Sequence, residues 1–265
     1  MKIQIPDNFM GKPIKGSIEK VLAGAVSPQQ QTTAKPIGVP LNIAPNVKSM
    51  DYIAVPQYDI FIAKEVSLKG KNWQDTHYEL GDNGLFMPRI DHLTAHFLNV
   101  KDAAEGKRTL YDGDNNPINL NEAKELWDYF SSTKNRSKGV CWTWLDALFK
   151  KDSQNKMYME TDHRVVLNNT QKSLVGKDVS LDDYFGSNEW ATLDFNNQGL
   201  AIKPSQHNGY VQGENIYFWQ PIKDRVAGFL AGSDWAYLYC DGGPAVTDSS
   251  LGVFPCAEGT SNANK

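Results

Sequence analysis

Residues 229–240 alternate between small apolar side chains and larger or polar ones. A period of two is typical of a half-buried β-strand, which has one buried face and one presented face. The phase changes between Ser233 and Ala236, so we expect a turn or bulge at Asp234–Trp235. The presented set is rich in Trp, Tyr, Gly and Asp, a composition typical of antibody-like binding loops. The pattern alone also allows a hairpin whose rings are buried in the core.

Two segments show helical periodicity. Residues 88–100 place Pro88 near a first turn and carry apolar residues at helical spacing. A second helix is predicted to begin after Asn119, with Glu122 three residues on as in a capping box. Its apolar face runs from Ala123 to Phe130.

Strand-like runs follow in several places and carry mostly apolar or alternating residues. They span residues 52–55, 58–63, 140–149, 165–167, 216–219 and 251–254, in addition to the opening alternation. Two early helices and many later strands predict an α+β domain.

The first fifty residues have a different composition. A short strand-like start and a weak helical patch at Ser17–Ala25 precede residues 27–47, which are rich in Pro, Gln and Thr. That composition is typical of a linker or an extended arm. We therefore predict an N-terminal arm over residues 1–49 and one domain over residues 50–265.

Composition excludes several classes of function. The 265 residues carry a net charge of −4 with scattered Lys and Arg, so we expect no nucleic-acid partner. No run is long and apolar enough to suggest membrane insertion, and the N-terminus lacks the apolar core of a signal peptide. The three cysteines are too few for a disulfide framework. Cys240 and Cys256 could pair, although buried free thiols are favoured.

The candidates for metal chemistry are weak. His92 and His96 share a helix face, but the metalloprotease Glu is absent, which favours a packing or surface role. The run Asp112–Pro117 resembles a calcium loop but lacks its Gly and its final Glu, so a polar turn is the better interpretation. We predict no metal site and no cofactor.

The candidates for catalysis and for sugar binding are also weak. Glu160, Asp162 and His163 could support acid–base chemistry, but no nucleophile lies beside them. Motifs for a nucleophile elbow or a phosphate loop are absent. Trp219-Gln220-Pro221 is followed by Ile222, where calcium-dependent lectins have a carboxylate or an amide. We predict no catalytic residue.

The last fifty residues resemble a known family. Residues 225–240, the run Ser249-Ser250-Leu251-Gly252-Val253 and the run Cys256-Ala257-Glu258-Gly259 are similar to the variable region of diversity-generating retroelement target proteins. The resemblance is to the archaeal and viral type, which includes the phage major tropism determinant. Residues 213–219 and the pair Trp142 and Trp144 fit the same family. The resemblance implies a C-type lectin fold with two helices, small antiparallel sheets and a long irregular C-terminal region.

The resemblance also implies two kinds of residue between about 223 and 256, because in such proteins an error-prone copy of a template replaces the end of the gene. The scaffold would be Phe229, Ala231, Ser233, Ala236, Leu238, Cys240, Pro244, Ser249, Ser250, Leu251, Gly252 and Val253. The variable, ligand-binding positions would be Leu230, Gly232, Asp234, Trp235, Tyr237, Tyr239, Asp241, Gly242, Gly243, Ala245, Val246, Asp248 and Phe254. Trp235, Tyr237 and Tyr239 are the expected binding anchors.

The implied function is non-enzymatic recognition of an unknown protein or cell-surface ligand, on a virion or a cell surface. Two alternatives stay open. One is an enzyme of the formylglycine-generating type that uses Cys240 and Cys256, and the other is a lectin-like module that binds glycans without diversification. The oligomeric state is open as well.

Overall fold

The protein is described by a computed structural model that covers residues 8–9, 12–13, 48–131, 139–168 and 170–259. The chain divides into two compact units, residues 1–35 and 36–265. In the first unit the described residues form a short antiparallel pair, β1 (Asn8–Phe9) and β2 (Lys12–Pro13). The helical patch predicted at Ser17–Ala25 and the linker predicted over residues 27–47 lie outside the described residues.

The second unit contains three α-helices and two sheets within its described residues. The helices are α1 (Trp73–Asp82), α2 (Ile90–Ala104) and α3 (Leu120–Ser131). The strands of the small sheet, in the order β12-β4-β3, are β3 (Tyr52–Val55), β4 (Ile60–Ala63) and β12 (Cys256–Glu258). A single 3₁₀ turn, Ser49–Asp51, precedes β3.

The large sheet has seven strands in the order β7-β6-β5-β10-β11-β9-β8. They are β5 (Cys141–Lys151), β6 (Met157–Asn168), β7 (Gln171–Ser180), β8 (Glu189–Thr192), β9 (Asn215–Trp219), β10 (Arg225–Ala231) and β11 (Ala236–Gly242). Every pair is antiparallel except β11 with β9. The α+β class is therefore confirmed, whereas the expectation of two helices and only small antiparallel sheets is wrong.

Both predicted helices are present. Helix α2 begins at Ile90, two residues after Pro88, with Arg89 as its extended N-cap residue. At the start of α3 the Asn119 side chain accepts a hydrogen bond from the backbone N–H of Glu122 at 3.0 Å, as the cap predicts. The Glu122 carboxylate forms an ion pair with Lys64 at 2.6 Å, which ties α3 to the chain that follows β4.

Residues 251–254 do not form the predicted strand. Leu251 and Val253 pack into one apolar cluster and Phe254 into another. Gly252 and Val253 make only isolated bridges, to Thr143 and Ser67. The segment is buried on more than one side, so its apolar run does not alternate as a half-buried strand would.

Apolar side chains pack on both faces of the large sheet. The main core combines α2, α3, the small sheet and inward residues such as Leu145, Phe229 and Leu238. A second core places Trp144 and Val226 against α1 and the 251–253 segment. Since Trp144 and Leu145 are adjacent in β5, they point to opposite faces of the sheet.

The other motifs weighed in the sequence take structural roles. His92 and His96 are buried on α2, so of the packing and surface roles predicted for them the structure shows packing. The Asp112 carboxylate accepts hydrogen bonds from the backbone N–H groups of Asp114 and Asn116 at 2.9 and 2.8 Å, which makes the run a polar turn. Among the described residues, none of the helices has the length and apolar character needed to span a membrane.

Candidate functional site

The alternating segment at 229–240 is the β10–β11 hairpin. Leu230 pairs with Tyr237, and Phe229 pairs with Leu238. The phase change falls at the four-residue turn 232–235, where the Gly232 N–H donates to the Trp235 carbonyl oxygen at 2.9 Å. The predicted turn at Asp234–Trp235 is therefore confirmed.

One face of this hairpin is fixed in the main core. Five of its alternating side chains are at most 4 % exposed: Phe229, Ala231, Ala236, Leu238 and Cys240. The Phe229 ring lies 5.7 Å from Phe97 and 6.2 Å from Phe130 between ring centroids, so the hairpin packs directly on α2 and α3. These five positions match the predicted scaffold.

The opposite face carries half-buried rings. Trp235 and Tyr237 stack with their ring centroids 4.5 Å apart and their planes 12° from parallel. Leu230 and Tyr239 are half-buried beside them. The alternative of a hairpin with all its rings in the core does not describe these side chains.

Neighbouring strands extend this surface beyond the hairpin. Tyr217 of β9 pairs with Tyr237 of β11, and their ring centroids are 5.8 Å apart. Trp190 of β8 lies 5.2 Å from Tyr217, and Trp219 lies 5.0 Å from Tyr217 on the other side. All are half-buried. We call this set, Trp190, Tyr217, Trp219, Trp235 and Tyr237, the aromatic face.

Tyr239 is held more tightly than its neighbours. Its hydroxyl accepts a hydrogen bond from the Trp142 indole N–H at 2.9 Å. A Cβ built at Gly228 would lie 2.1 Å from the Tyr239 hydroxyl oxygen, and one at Gly242 would lie 2.7 Å from the Tyr239 ring. Burial raises the pKa of the Tyr239 hydroxyl. Tyr239 therefore closes one end of the surface as a fixed, neutral ring.

The remaining predicted positions lie in the turn, at the end of β11 and in the loop that follows it. Asp241, Gly242 and Gly243 are half-buried, and burial raises the pKa of the Asp241 carboxyl. Asp234 in the turn and three residues of the loop are exposed: Ala245, Val246 and Asp248. Residues 229–250 contain three Asp and neither Lys nor Arg. Acidic residues therefore follow the rings along the chain, and Asp234 directly precedes Trp235 in the turn.

Two predicted variable positions are placed differently from the prediction. Phe254 is fully buried and stacks on Phe130 with a centroid distance of 5.1 Å, because its segment enters the main core. Gly232 is buried because the Trp235 indole covers it. Neither position can present a side chain to a ligand in this arrangement.

Three predicted scaffold positions lie outside the buried face of the hairpin. Ser233, Ser249 and Ser250 are exposed. Ser233 lies in the turn rather than in β10, and Ser249 and Ser250 lie in the loop, so none of them continues the alternation of a strand. The other scaffold positions of this stretch, Leu251, Gly252 and Val253, are buried as expected, and Pro244 is half-buried.

Sequence reasoning did not assign Trp190, Tyr217 and Trp219 to the site. A signal was present in β9, where Tyr217 and Trp219 alternate with the buried Ile216 and Phe218. Local pattern could not place this strand beside β11, because that parallel pairing skips β10, the strand that lies between them in the sequence.

The cysteines are free and fully buried: Cys141, Cys240 and Cys256. Cys240 lies in the large sheet and Cys256 in the small one. Burial raises the pKa of both the Cys240 and Cys256 thiols well above the ordinary value. The thiolate that nucleophilic or oxidative chemistry requires is therefore disfavoured at both positions.

Searches of protein-family models, curated proteins and solved structures find no match to this chain. The fold and the aromatic face thus define an α+β protein with an aromatic surface on its larger sheet.

Proposed function

We propose that this protein is a non-enzymatic, ligand-recognition protein with a C-type lectin fold. We propose further that a retroelement diversifies its C-terminal region, residues 223–256, and that the protein acts on a virion or a cell surface. The observation that carries the proposal is the aromatic face, whose stacked Trp235 and Tyr237 come from the segment that resembles a variable region.

The hairpin divides its residues in the way that diversification needs. Phe229 and Leu238 fix the backbone from inside the core, so outward side chains can change at small cost to the fold. Substitutions at exposed positions usually change stability by no more than about 0.5 kcal/mol. A binding face also needs only a few strong contacts, since a hot-spot Trp or Tyr can contribute about 2 kcal/mol or more.

The surface composition favours a protein or glycan ligand over a nucleic acid. Stacked rings provide a large contact area with little conformational entropy to lose. Asp234, Asp241 and Asp248 would repel a polyanion, and residues 229–250 carry no cation to bind phosphate. The ligand that fits best is neutral or carries positive charge.

The enzyme alternative has little chemical support at its proposed residues. Both thiols are buried in different sheets, and burial raises the pKa of each. The glycan-binding alternative places its site outside the variable segment, so the stacked Trp235 and Tyr237 neither support nor oppose it.

The DNA beside the gene tests diversification directly. We expect a near-copy of the 3′ end, with mismatches confined to adenines of the copy, and a nearby reverse transcriptase gene. The mismatched codons should include those of Trp235 and Tyr237 and omit those of Phe229 and Leu238. A flanking sequence without such a repeat, or with mismatches in scaffold codons, contradicts the proposal.

A glycan array distinguishes the proposed function from the glycan-binding alternative. An undiversified lectin-like module predicts glycan binding that survives Trp235→Ala and Tyr237→Ala, because its site would not depend on the variable segment. We expect instead that any binding is lost in both variants and kept in Val175→Ala, a control on the exposed surface of β7.

A further inference from the structure

Three buried side chains from three elements meet beside Trp73 of the second core. They are His77 of α1, Asp146 of β5 and His163 of β6, each at most 4 % exposed. Their potential ligand atoms all lie within 4.8 Å of one another. No residue of the aromatic face contributes to this cluster.

A bulge in β6 helps to place His163. The pairing of β6 with β7 shifts between Thr161 and Arg164, and Asp162 adopts a left-handed φ of 55°. Bulges re-aim side chains and are frequent beside functional sites. The His163 backbone N–H donates to Oδ2 of Asp146 at 2.9 Å, which fixes the carboxylate relative to β6.

The second carboxylate oxygen of Asp146 faces the imidazoles of both His77 and His163. Oδ1 of Asp146 lies 2.5 Å from Nδ1 of His163 and 3.6 Å from Nε2 of His77. Nε2 of His77 is buried and has no hydrogen-bond partner among the residues that the structure describes. A buried nitrogen without a partner is unfavourable, and here it points at an anionic oxygen.

The surroundings of His163 match those of a metal-ligating histidine. Such a histidine usually donates its second N–H to a carboxylate that fixes the ring orientation. Nε2 of His163 lies 3.0 Å from Oε1 of Glu160, and Glu160 is itself paired with Lys150. The Trp73 ring packs against His77 and His163, with centroid distances of 4.3 and 4.9 Å, and shields the cluster from water.

We propose that His77, Asp146 and His163 bind a divalent transition-metal ion of the zinc class. Two imidazoles and one carboxylate are a donor set that suits zinc, and they leave a coordination position for water or another ligand. Ligand atoms around a tetrahedral zinc ion lie about 3.4 Å apart, given metal–ligand bonds of about 2.1 Å. The 3.6 Å separation between His77 and Asp146 is close to that value.

Metal binding replaces the proton between His163 and Asp146. The Nδ1–H bond of His163 breaks, its proton leaves to solvent, and the nitrogen lone pair forms the bond to the metal. The Nδ1–Oδ1 contact opens by about 1 Å to admit the ion. The Nε2–H of His163 keeps its proton and continues to donate a hydrogen bond to the Glu160 carboxylate.

The test uses the full chain without a histidine tag. We expect about one zinc per chain by elemental analysis after dialysis against Zn²⁺ and then metal-free buffer. Substitution with Co²⁺ should give the visible d–d absorption of a tetrahedral site, and Zn²⁺ should raise Tm. Full-chain protein that retains no zinc and shows no cobalt absorption overturns the proposal.

Variants locate the ion. His77→Gln should abolish the cobalt absorption, and Glu160→Gln should keep all three ligands but weaken zinc binding about 10- to 100-fold. His96→Gln is the matched control and should keep zinc, because His96 is also buried, lacks hydrogen-bond partners within the described part of the chain, and lies outside the cluster. If His77→Gln fails to fold, Glu160→Gln still decides the outcome. Unchanged zinc affinity in Glu160→Gln, or loss of zinc in His207→Ala at the exposed His207–Glu214 pair, contradicts the assignment.

Discussion

A Cβ atom added at Gly232 would lie 2.4 Å from Cζ2 of Trp235, and the next nearest atoms also belong to that indole. The Gly232 backbone does not have a left-handed φ, so the conflict comes from the Trp235 side chain rather than from backbone strain. Two positions of the predicted variable segment are therefore coupled. A larger residue at position 232 is incompatible with the Trp235–Tyr237 stack.

Gly232→Ala should push the Trp235 indole off Tyr237. We expect a loss of about 0.5–1.5 kcal/mol of stability, the range for an aromatic pair. Urea denaturation and the near-ultraviolet circular dichroism of the stacked rings would measure it. Gly209→Ala is the control, since no atom of the described residues lies within 4 Å of a Cβ there. In a Trp235→Ala background the same Gly232→Ala change should be almost neutral, and an undiminished cost there would contradict the coupling.

At the scale of the element, the β10–β11 hairpin has two faces with different energetic roles. Phe229→Ala should destabilise the protein by about 3–5 kcal/mol, because it leaves a cavity against Phe97 and Phe130. Leu230→Ala changes the next residue, which lies on the half-buried face. It should reduce the free energy of unfolding by less than half as much. Urea denaturation of the two variants is the measurement. Equal losses would mean that the hairpin does not separate a scaffold face from a tolerant one.

The hairpin could be predicted because its pattern is local. One face is buried and the other is half-buried, so apolar and polar or aromatic residues alternate with a period of two in the sequence. Helix α2 and the capped start of α3 carried equally local signals. The same reasoning failed at Phe254, whose segment is buried on more than one side and so has no alternation to read.

Helix α1 was missed for a different reason. Its buried positions are Trp73, Thr76, His77 and Leu80, which have helical spacing but include two polar residues. A polar residue in a buried position weakens the hydrophobic pattern on which such a prediction depends. The buried His77 and Thr76 therefore hid the helix that contributes His77 to the proposed metal site.

At the scale of the whole molecule, the site depends on strand order rather than on strand pattern. The order β10-β11-β9-β8 places Trp190, Tyr217 and Tyr237 side by side, although almost fifty residues separate the first from the last. Period and composition contain no information on which strands are neighbours. The scaffold half of the candidate site was therefore predictable, and the extent of the aromatic face was not.

Helix α2 carries His92 and His96 into the interior, where burial lowers the pKa of His92 to about 4 and that of His96 to about 3. Unfolding returns each imidazole to an ordinary pKa of about 6.5. The unfolded chain therefore binds protons that the folded protein excludes once the pH falls below about 6.5. Each histidine contributes stability that is complete above that pH and declines as the pH falls toward its folded pKa.

His96→Leu should reduce the loss of stability at acid pH, because the variant lacks one histidine that takes up a proton on unfolding. For a folded pKa of about 3, His96 alone accounts for a loss of about 2 kcal/mol between pH 7 and pH 5. The free energy of unfolding of the variant, measured by urea denaturation across that range, should fall by about 2 kcal/mol less than that of the wild type. Val175→Ala, which removes no titratable group and lies on the exposed surface of β7, should keep the wild-type pH dependence. If the free energy of unfolding of His96→Leu falls as steeply with pH as that of the wild type, His96 is not held neutral in the folded protein. That result would contradict its burial on α2.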